Sequence, residues 1–341
     1  MKKRLDELLL ATEDVGSMPL LDDFDEGRKN VDQAITDKVK VGLDYPCYPQ
    51  LVGRPSKPMD MGLQFLLPLS KVNPGIHIDP HRGQAHLISD EIKEPSAVIG
   101  VERAEYYMGL LRDSGLIEKL RGVKACVTGP FTLASYLDSQ NMLTCGASKM
   151  NVVRALARIL SRSCGRLSDL GFDLINLDEP FLSLILGKDK TLYKYDGQFV
   201  LEMLNTLINE IKCFSAIHVC GTVTPMVKSV LLSSEADIVD HEFAGCSRND
   251  QAYSKDDLEK TNKFLAYGCV SSVTPQVETV KEISASLHKA LKLYGPRVIV
   301  KPDCGFGGMH GTLGAYETVL AKLKNMIEAS RVVLSEMRTN S

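Results

Sequence analysis

Short apolar runs alternate with longer amphipathic stretches over most of this 341-residue chain, and this alternation limits the fold more than any other feature. The runs end in Gly, Pro, Asp or Glu, and they are too continuously apolar for strands with one exposed face. Repeated strand–helix units predict a parallel sheet covered by helices. The predicted strands are SAVIGV (96–101), VKACVTGP (123–130), FDLINLDEP (172–180), SAIHVCG (215–221), ADIVDHEF (236–243), FLAYGCV (264–270) and RVIVKPDCG (297–305), with VGSMP (15–19) as a candidate for an earlier one.

The stretches between these runs carry apolar residues at helical spacing. Four of them predict helices, at 150–171, 200–214, 277–295 and 314–337. About eight strands over this length favour a closed (β/α)8 barrel, the TIM-barrel class of α/β fold, over an open doubly wound sheet.

Residues 20–95 differ from the rest, because they are polar and contain several prolines toward the end of the segment. We expect a helix followed by an irregular excursion over one barrel end. The sequence therefore predicts a single barrel domain over residues 1–341, with 20–95 as an N-terminal extension.

Charge and composition argue against several classes of protein. The formal net charge is −3 and the Lys and Arg residues are scattered, so no nucleic-acid-binding surface is expected. No apolar run approaches the roughly 18 residues that a membrane span needs. The run LLLA near the start is too short for a signal sequence, so a cytoplasmic protein is expected. Nine irregularly spaced cysteines in a chain of this size do not predict a disulfide framework.

Residues of metal-ligand type stand at the ends of three predicted strands. His218 and Cys220 are two residues apart, so both side chains point to the same side of a strand. In a barrel enzyme the carboxyl ends of the strands meet at the functional face. Imidazole, thiolate and carboxylate groups are ligands that zinc accepts tetrahedrally, so this face predicts a zinc site. The three ends carry His218 with Cys220, His241 with Glu242, and Asp303 with Cys304.

The order of these residues resembles cobalamin-independent methionine synthase. The HxC pair, a later glutamate and PDCG near the end occur in that order in the catalytic C-terminal half of the family, in its short core form. Further similarities extend over about residues 15–310: GSMP (16–19) is similar to GSFP, VTGP (127–130) to LTGP, LDEP (177–180) to IDEP, and 277–283 to a VESVEEI-type segment.

The resemblance implies a zinc-dependent methyltransferase that converts homocysteine to methionine. It implies that Zn²⁺ is held by His218, Cys220, Glu242 and Cys304. It also implies that Asp178 binds the amino group of the substrate, that Ser17 meets its carboxylate, and that Glu102 is a second carboxylate for the amine. Asp178 and Glu242 are the residues expected to take part directly in catalysis.

The chain departs from the family where the family binds folate. The family has a tryptophan after TGP, whereas this chain contains no tryptophan and has Ala134, Ser135 and Tyr136 in that region. The family's DIHSP-type segment, whose histidine helps to protonate the folate nitrogen, is matched here by GCVSSVTPQ (268–276). A methyl–cobalt bond needs no such acid. We therefore expect a methylated corrinoid, carried by a partner protein, as the methyl donor.

Alternatives remain open at this stage. Methylcobamide:coenzyme M methyltransferases resemble the HVCG stretch (218–221), and a barrel of the uroporphyrinogen decarboxylase type with structural cysteines is another class. A carboxylate at Asp178 favours an amino-acid thiol, because a sulfonate thiol has no amine. His77, His81 and His86 lie near Asp79 and could form a second metal site or be ordinary surface histidines.

Overall fold

The structure is a computed structural model, and it describes residues 5–21, 27–54, 57–59, 61–78, 85–87, 91–138, 149–187, 191, 193 and 195–339. The N-terminal third contains α1 (Gly27–Val41), β1 (Val52–Arg54), β2 (Lys57–Met59), α2 (Leu63–Val72), β3 (Ile76–Ile78), β4 (Ala85–Leu87) and α3 (Glu102–Asp113).

From there strands and helices alternate to the end of the described chain. The elements are β5 (Lys124–Thr128), α4 (Pro130–Ser135), β6 (Leu137–Asp138), α5 (Met150–Leu170), β7 (Leu174–Asp178), α6 (Leu182–Ile185), α7 (Gly197–Ile208), β8 (Phe214–His218), α8 (Pro225–Ser233), β9 (Ile238–Glu242), α9 (Lys255–Lys260), β10 (Phe264–Val270), α10 (Val280–Tyr294), β11 (Val298–Pro302) and α11 (Ala315–Thr339).

Six of these strands form one sheet in the order β11-β10-β9-β8-β7-β5, with every neighbouring pair parallel. Two short extended segments connect the edges of this sheet through parallel bridges. The bridges are Thr12–Val300, Glu13–Tyr45 and Cys47–Lys124. Backbone hydrogen bonds support them, since Val300 N donates to Ala11 O and Lys124 N to Pro46 O. The pairings therefore run round a ring of eight strand positions, the arrangement of a (β/α)8 barrel.

The sequence predicted most of these elements. The four predicted helices are α5, α7, α10 and α11, and six of the predicted strands are β5 and β7 to β11. These predictions are confirmed, with boundaries shifted by a few residues.

The strand predicted at SAVIGV (96–101) is wrong, because this stretch has no regular structure. Its carbonyl groups bind side chains of α5 rather than a neighbouring strand: Ser163 Oγ donates to Ile99 O, and Arg162 donates to the carbonyls of Pro95 and Ser96. Ile99 and Val101 of this run are buried in front of α3.

The segment predicted as an extension contributes to the barrel as well. Tyr45 and Cys47 occupy one strand position of the ring, although Pro46 interrupts the apolar pattern there. The rest of the segment holds α1, the hairpin of β1 and β2, α2, and the strands β3 and β4, which form a three-stranded sheet with β6.

The barrel interior is layered along the strands, because side chains two residues apart point to the same side. An apolar cluster fills one level and includes Leu174, Ala216, Ile238 and Ile299. Two residues further along the same strands lie Asn176, His218, Asp240 and Lys301, which are all buried. Fully buried Glu13 and Lys124 form an ion pair of 3.0 Å. A buried layer of polar and charged side chains therefore lies next to the apolar layer, on the side of the carboxyl ends of the strands.

Candidate metal centre and thiol pocket

Three ligand-type side chains converge where β8 and β11 end. The ligand atoms of His218, Cys220 and Cys304 all lie within 4.8 Å of one another. His218 Nε2 is 3.0 Å from Cys220 Sγ, and the sulfurs of Cys220 and Cys304 are 3.7 Å apart. Glu242, at the end of β9, is not in this group, and its Oε1 accepts a hydrogen bond of 2.5 Å from Gly221 N.

The donor set fits zinc. A tetrahedral zinc ion with Zn–S bonds of about 2.3 Å has sulfur atoms about 3.8 Å apart. The 3.7 Å between the two sulfurs matches that edge, and both cysteines are free thiols. Two sulfurs and one imidazole nitrogen are ligand types that zinc prefers. The Glu242 carboxylate is hydrogen-bonded to the main chain of Gly221, the residue directly after Cys220.

Burial and neighbouring groups shift the pKa values of two of the three ligand-type side chains. Burial alone would lower the pKa of His218, but the carboxylate of Asp240 raises this pKa to about 10. The hydrogen bond from Cys220, helped by His218, holds the pKa of the Cys304 thiol well below its usual range. Both shifts favour the charged forms of these side chains, and a bound metal ion would take the place of the proton on His218 Nε2.

The other face of His218 is held by Asp240, since Nδ1 lies 2.7 Å from Asp240 Oδ1. Lys301 Nζ lies 2.7 Å from the same oxygen. Burial would raise the pKa of Asp240, but Lys301 and His218 hold it below its usual range. A carboxylate on the second ring nitrogen fixes the tautomer of a metal-binding histidine and leaves Nε2 for the metal.

A small cavity of about 130 Å³ opens directly over the sulfurs. Its polar lining includes Ser17, Gln50 and Asp178, together with the three ligand-type residues. Gln50 Nε2 donates to Asp178 Oδ2 at 2.6 Å, and Asn176 Nδ2 donates to Asp178 Oδ1 at 2.5 Å. Both oxygens of this buried carboxylate are thereby oriented, while its burial raises its pKa.

Ser17 reaches the cavity because the loop after β11 has glycines at the positions that face it. A Cβ atom on Gly305 would lie 2.9 Å from the Ser17 side chain, and one on Gly307 would lie 3.2 Å from it. Ser17 O accepts a hydrogen bond from Phe306 N, which joins the two loops. The glycine-rich loop thus leaves room beside Cys304 for a ligand.

The structure brings most of the site residues predicted from the sequence together, but not all of them. Ser17, Asp178, His218, Cys220 and Cys304 surround one cavity. By contrast, Glu102 is exposed in the first turn of α3 and is not among the described residues that line it.

The other strand-end residues have structural contacts. His241 is buried between Val219 O and the hydroxyl of Tyr253, and burial lowers its pKa to about 4. The carboxylate of Asp303 accepts hydrogen bonds from the main-chain N–H groups of residues 243, 244 and 245. Asp303 therefore connects the end of β11 to the loop that follows Glu242.

The sequence analysis missed Gln50, Asp240 and Lys301. A signal for two of them exists, because Asp240 and Lys301 are charged residues inside otherwise apolar strand runs. A charge in a buried barrel strand indicates a partner on a neighbouring strand. Gln50 carries no such signal, because it lies in an irregular loop.

The family described as "Cobalamin-independent synthase, Catalytic domain" matches residues 88–332 of this chain. The chain belongs to the cobalamin-independent synthase family. Its membership agrees with the relative from Methanothermobacter thermautotrophicus, a methionine synthase that is 27% identical over 311 residues and covers 90% of each chain. The chain is thus an enzyme of the methionine synthase type.

Solved structures show the same fold for this cobalamin-independent synthase. A B12-independent methionine synthase from Shewanella sp. W3-18-1, solved in complex with selenomethionine, aligns with a TM-score of 0.68 and 17% identity over 97% of this chain and 99% of that one. A methyltransferase from Methanosarcina mazei aligns with a TM-score of 0.65 and 15% identity over 97% and 96% of the two chains.

The remaining sequence predictions concern the wider molecule. Among the described helices, none is long and apolar enough to cross a bilayer. The eight described cysteines are all free thiols. His77 is exposed on β3 and is paired in register with His86 on β4, whereas His81 lies outside the described residues.

Proposed function

We propose that this enzyme is a zinc-dependent methyltransferase that moves a methyl group to the thiol of homocysteine and forms methionine. The observation that carries the proposal is the cavity in which two cysteine sulfurs, His218 and the oriented carboxylate of Asp178 face one another. The Shewanella relative was solved in complex with selenomethionine, which supports an amino-acid ligand for this enzyme.

His218, Cys220 and Cys304 would hold the zinc ion, with Glu242 as the fourth protein ligand. When bound there, zinc would lower the pKa of the substrate thiol so that the thiol is present as a thiolate at neutral pH. Glu242 is the ligand that yields most easily, because its carboxylate is already bonded to Gly221 N–H and is not in the close three-residue group.

The chain's own residues would orient the substrate. Asp178 would accept the ammonium group, and Gln50 and Asn176 fix the direction of its carboxylate. Ser17, beside the glycine-rich loop, would meet the substrate carboxylate. The thiol would then point toward His218, Cys220 and Cys304, and the open side of the cavity would be left for the approach of a methyl donor.

The donor in this proposal is a methylated corrinoid on a partner protein. The carbon–sulfur bond forms as the cobalt–carbon bond breaks, and the electron pair of that bond stays on cobalt. No acid is needed for this leaving group, in agreement with the absence of a histidine from 268–276 and of tryptophan from the chain.

One experiment tests donor and acceptor together. Purified enzyme supplied with zinc is assayed with methylcobalamin or methyl-tetrahydrofolate as the donor and with homocysteine or coenzyme M as the acceptor. We expect methionine from methylcobalamin and homocysteine at a rate at least 100-fold above the other three combinations. Equal turnover of the two donors would contradict the corrinoid assignment, and methylation of coenzyme M alone would place the enzyme with the sulfonate-thiol methyltransferases.

Substitution Asp178→Asn is expected to lower kcat/KM for homocysteine about 100-fold, or ~2.7 kcal/mol of transition-state binding. The amide keeps the size of the side chain but removes the charge that pairs with the ammonium group. Zinc content should not change. Transfer to 3-mercaptopropionate, which has no amine, should change less than threefold.

The matched comparison is Glu102→Gln, which tests the second carboxylate predicted from the resemblance. Because Glu102 is exposed and stands outside the cavity lining, we expect a change of less than threefold. If Asp178→Asn impairs both acceptors equally, Asp178 does not recognise the amine. Steady-state kinetics with both thiols distinguishes these outcomes.

A further inference from the structure

The fully buried side chain of Lys301 lies beneath the candidate metal centre and contacts none of the cavity. Its Nζ makes two contacts, at 2.7 Å to Asp240 Oδ1 and at 2.9 Å to the main-chain oxygen of Asp303. The first contact leads to His218, and the second lies on the residue directly before Cys304. The ammonium group of Lys301 therefore contacts both the side chain that holds His218 and the main chain directly before Cys304.

Burying an ammonium group costs desolvation free energy, so the presence of Lys301 inside the barrel requires an explanation. Desolvation of an ion inside a protein costs several kcal/mol, and an apolar side chain of similar size often serves stability equally well or better. Most TIM barrels fill this level with branched apolar residues. Stability alone therefore gives no reason for a lysine at this position in β11.

We propose that Lys301 is a positioning residue that fixes His218 and Cys304 relative to each other for metal binding. Through Asp240 it keeps Nδ1 of His218 hydrogen-bonded, so that Nε2 faces the sulfurs. Through the Asp303 carbonyl it fixes the main chain from which Cys304 extends.

Asp303, whose carbonyl accepts from Lys301, also connects to the end of β9. The carboxylate of Asp303 accepts hydrogen bonds of 2.6–3.0 Å from the main chain of residues 243–245, which directly follow Glu242. Lys301, Asp240 and Asp303 therefore form one connected brace across β8, β9 and β11. This inference rests on the proposed function for its metal, but the brace itself concerns only side chains of this chain.

The test replaces Lys301 by methionine, which has nearly the same length and no charge. The control is Lys263→Met. Lys263 is also buried, and it donates to the carbonyls of Ser234 and Ala236 in the connection between α8 and β9, at the barrel end opposite the cavity. Both substitutions remove a buried ammonium group, but only one removes it from the brace.

The first measurement is zinc affinity by competition with a chromophoric chelator. Loss of an outer partner of a metal ligand lowers metal affinity by about 10- to 100-fold. We expect this loss for Lys301→Met and a change of less than threefold for Lys263→Met. Equal zinc affinity of the Lys301→Met variant and the wild-type enzyme would overturn the proposal.

The second measurement needs no metal. In protein labelled with ¹⁵N-histidine, the Nδ1–H correlation of His218, assigned with His218→Gln, should be visible and protected from exchange in the wild type. It should broaden or disappear in Lys301→Met and persist in Lys263→Met. If the wild type binds no zinc, the proposed function fails, and this signal still decides whether Lys301 positions His218.

A second variant covers the case in which Lys301→Met does not fold. Asp240→Asn keeps the size of the side chain, but it removes the charge between Lys301 and His218. The positioning role predicts the same loss of zinc affinity and the same change in the Nδ1–H signal. An unchanged signal in a folded Asp240→Asn variant would contradict it.

Discussion

Substitution Cys304→Ser is expected to reduce the zinc content from about one ion per chain to nearly none and to lower methyl transfer at least 1,000-fold, or ~4 kcal/mol. Serine has almost the shape of cysteine, so the cavity keeps its form. Its hydroxyl stays protonated near neutral pH and is a poor ligand for zinc. In the structure the Cys304 sulfur also belongs to the close group with His218 and Cys220.

The matched control is Cys213→Ser. Cys213 is half-buried at the start of β8, at the barrel end opposite the cavity, and its sulfur contacts the carbonyl of Phe214. Zinc content is measured by atomic spectroscopy after dialysis, and folding is checked by circular dichroism. Activity should return on zinc addition to chelator-treated wild type and to Cys213→Ser, but not to Cys304→Ser. A Cys304→Ser variant that keeps one tightly bound zinc ion would exclude this residue as a ligand.

Glu242 is expected to behave differently from the cysteines. Because it is outside the close group, Glu242→Gln should weaken zinc binding much less than Cys304→Ser does. Chelator competition on the two variants measures the difference. A larger loss for Glu242→Gln would show that the carboxylate is the stronger ligand.

The sequence was sufficient to predict the site residues that stand at the ends of regular apolar strands. His218 and Cys220 could be placed on one face because strands alternate, and their strand ends meet because parallel strands in a barrel share one functional face. The same rules placed Cys304 with them, whereas Asp178 was predicted from the resemblance of LDEP (177–180) to the family's IDEP. The structure adds the distances that make His218, Cys220 and Cys304 a fit for zinc.

The sequence was insufficient where tertiary contacts replace regular hydrogen bonding. The strand position of Tyr45 and Cys47 is set by pairing with residues far along the chain, and Pro46 hides its pattern. Ile99 stands in an apolar run that looks like a strand, but α5 satisfies the backbone there. Gln50 reaches Asp178 from a loop, and no local signal indicates such a contact.

Lys124→Met is expected to lower the free energy of unfolding by about 3–5 kcal/mol, because it leaves a buried acid without its partner. Lys124 and Glu13 are both fully buried and lie 3.0 Å apart, on strand positions that are separated in the barrel wall by the segment of Tyr45 and Cys47. Burial already raises the pKa of Glu13, with Lys124 acting against this rise. Without Lys124, Glu13 should therefore take up a proton in the folded state at a pH where the unfolded chain does not.

Uptake of this proton makes the destabilisation by Lys124→Met depend on pH. A carboxyl group whose pKa is higher in the folded than in the unfolded state contributes stability at low pH and loses it as pH rises toward the folded pKa. The destabilisation of Lys124→Met, measured by urea unfolding, should thus be smaller at pH 5 than at pH 8. The double variant Glu13→Leu with Lys124→Met removes both charges and should recover most of the loss. If the double variant is no more stable than Lys124→Met, the cost comes from lost packing of the lysine stem and not from the unpaired charge of Glu13.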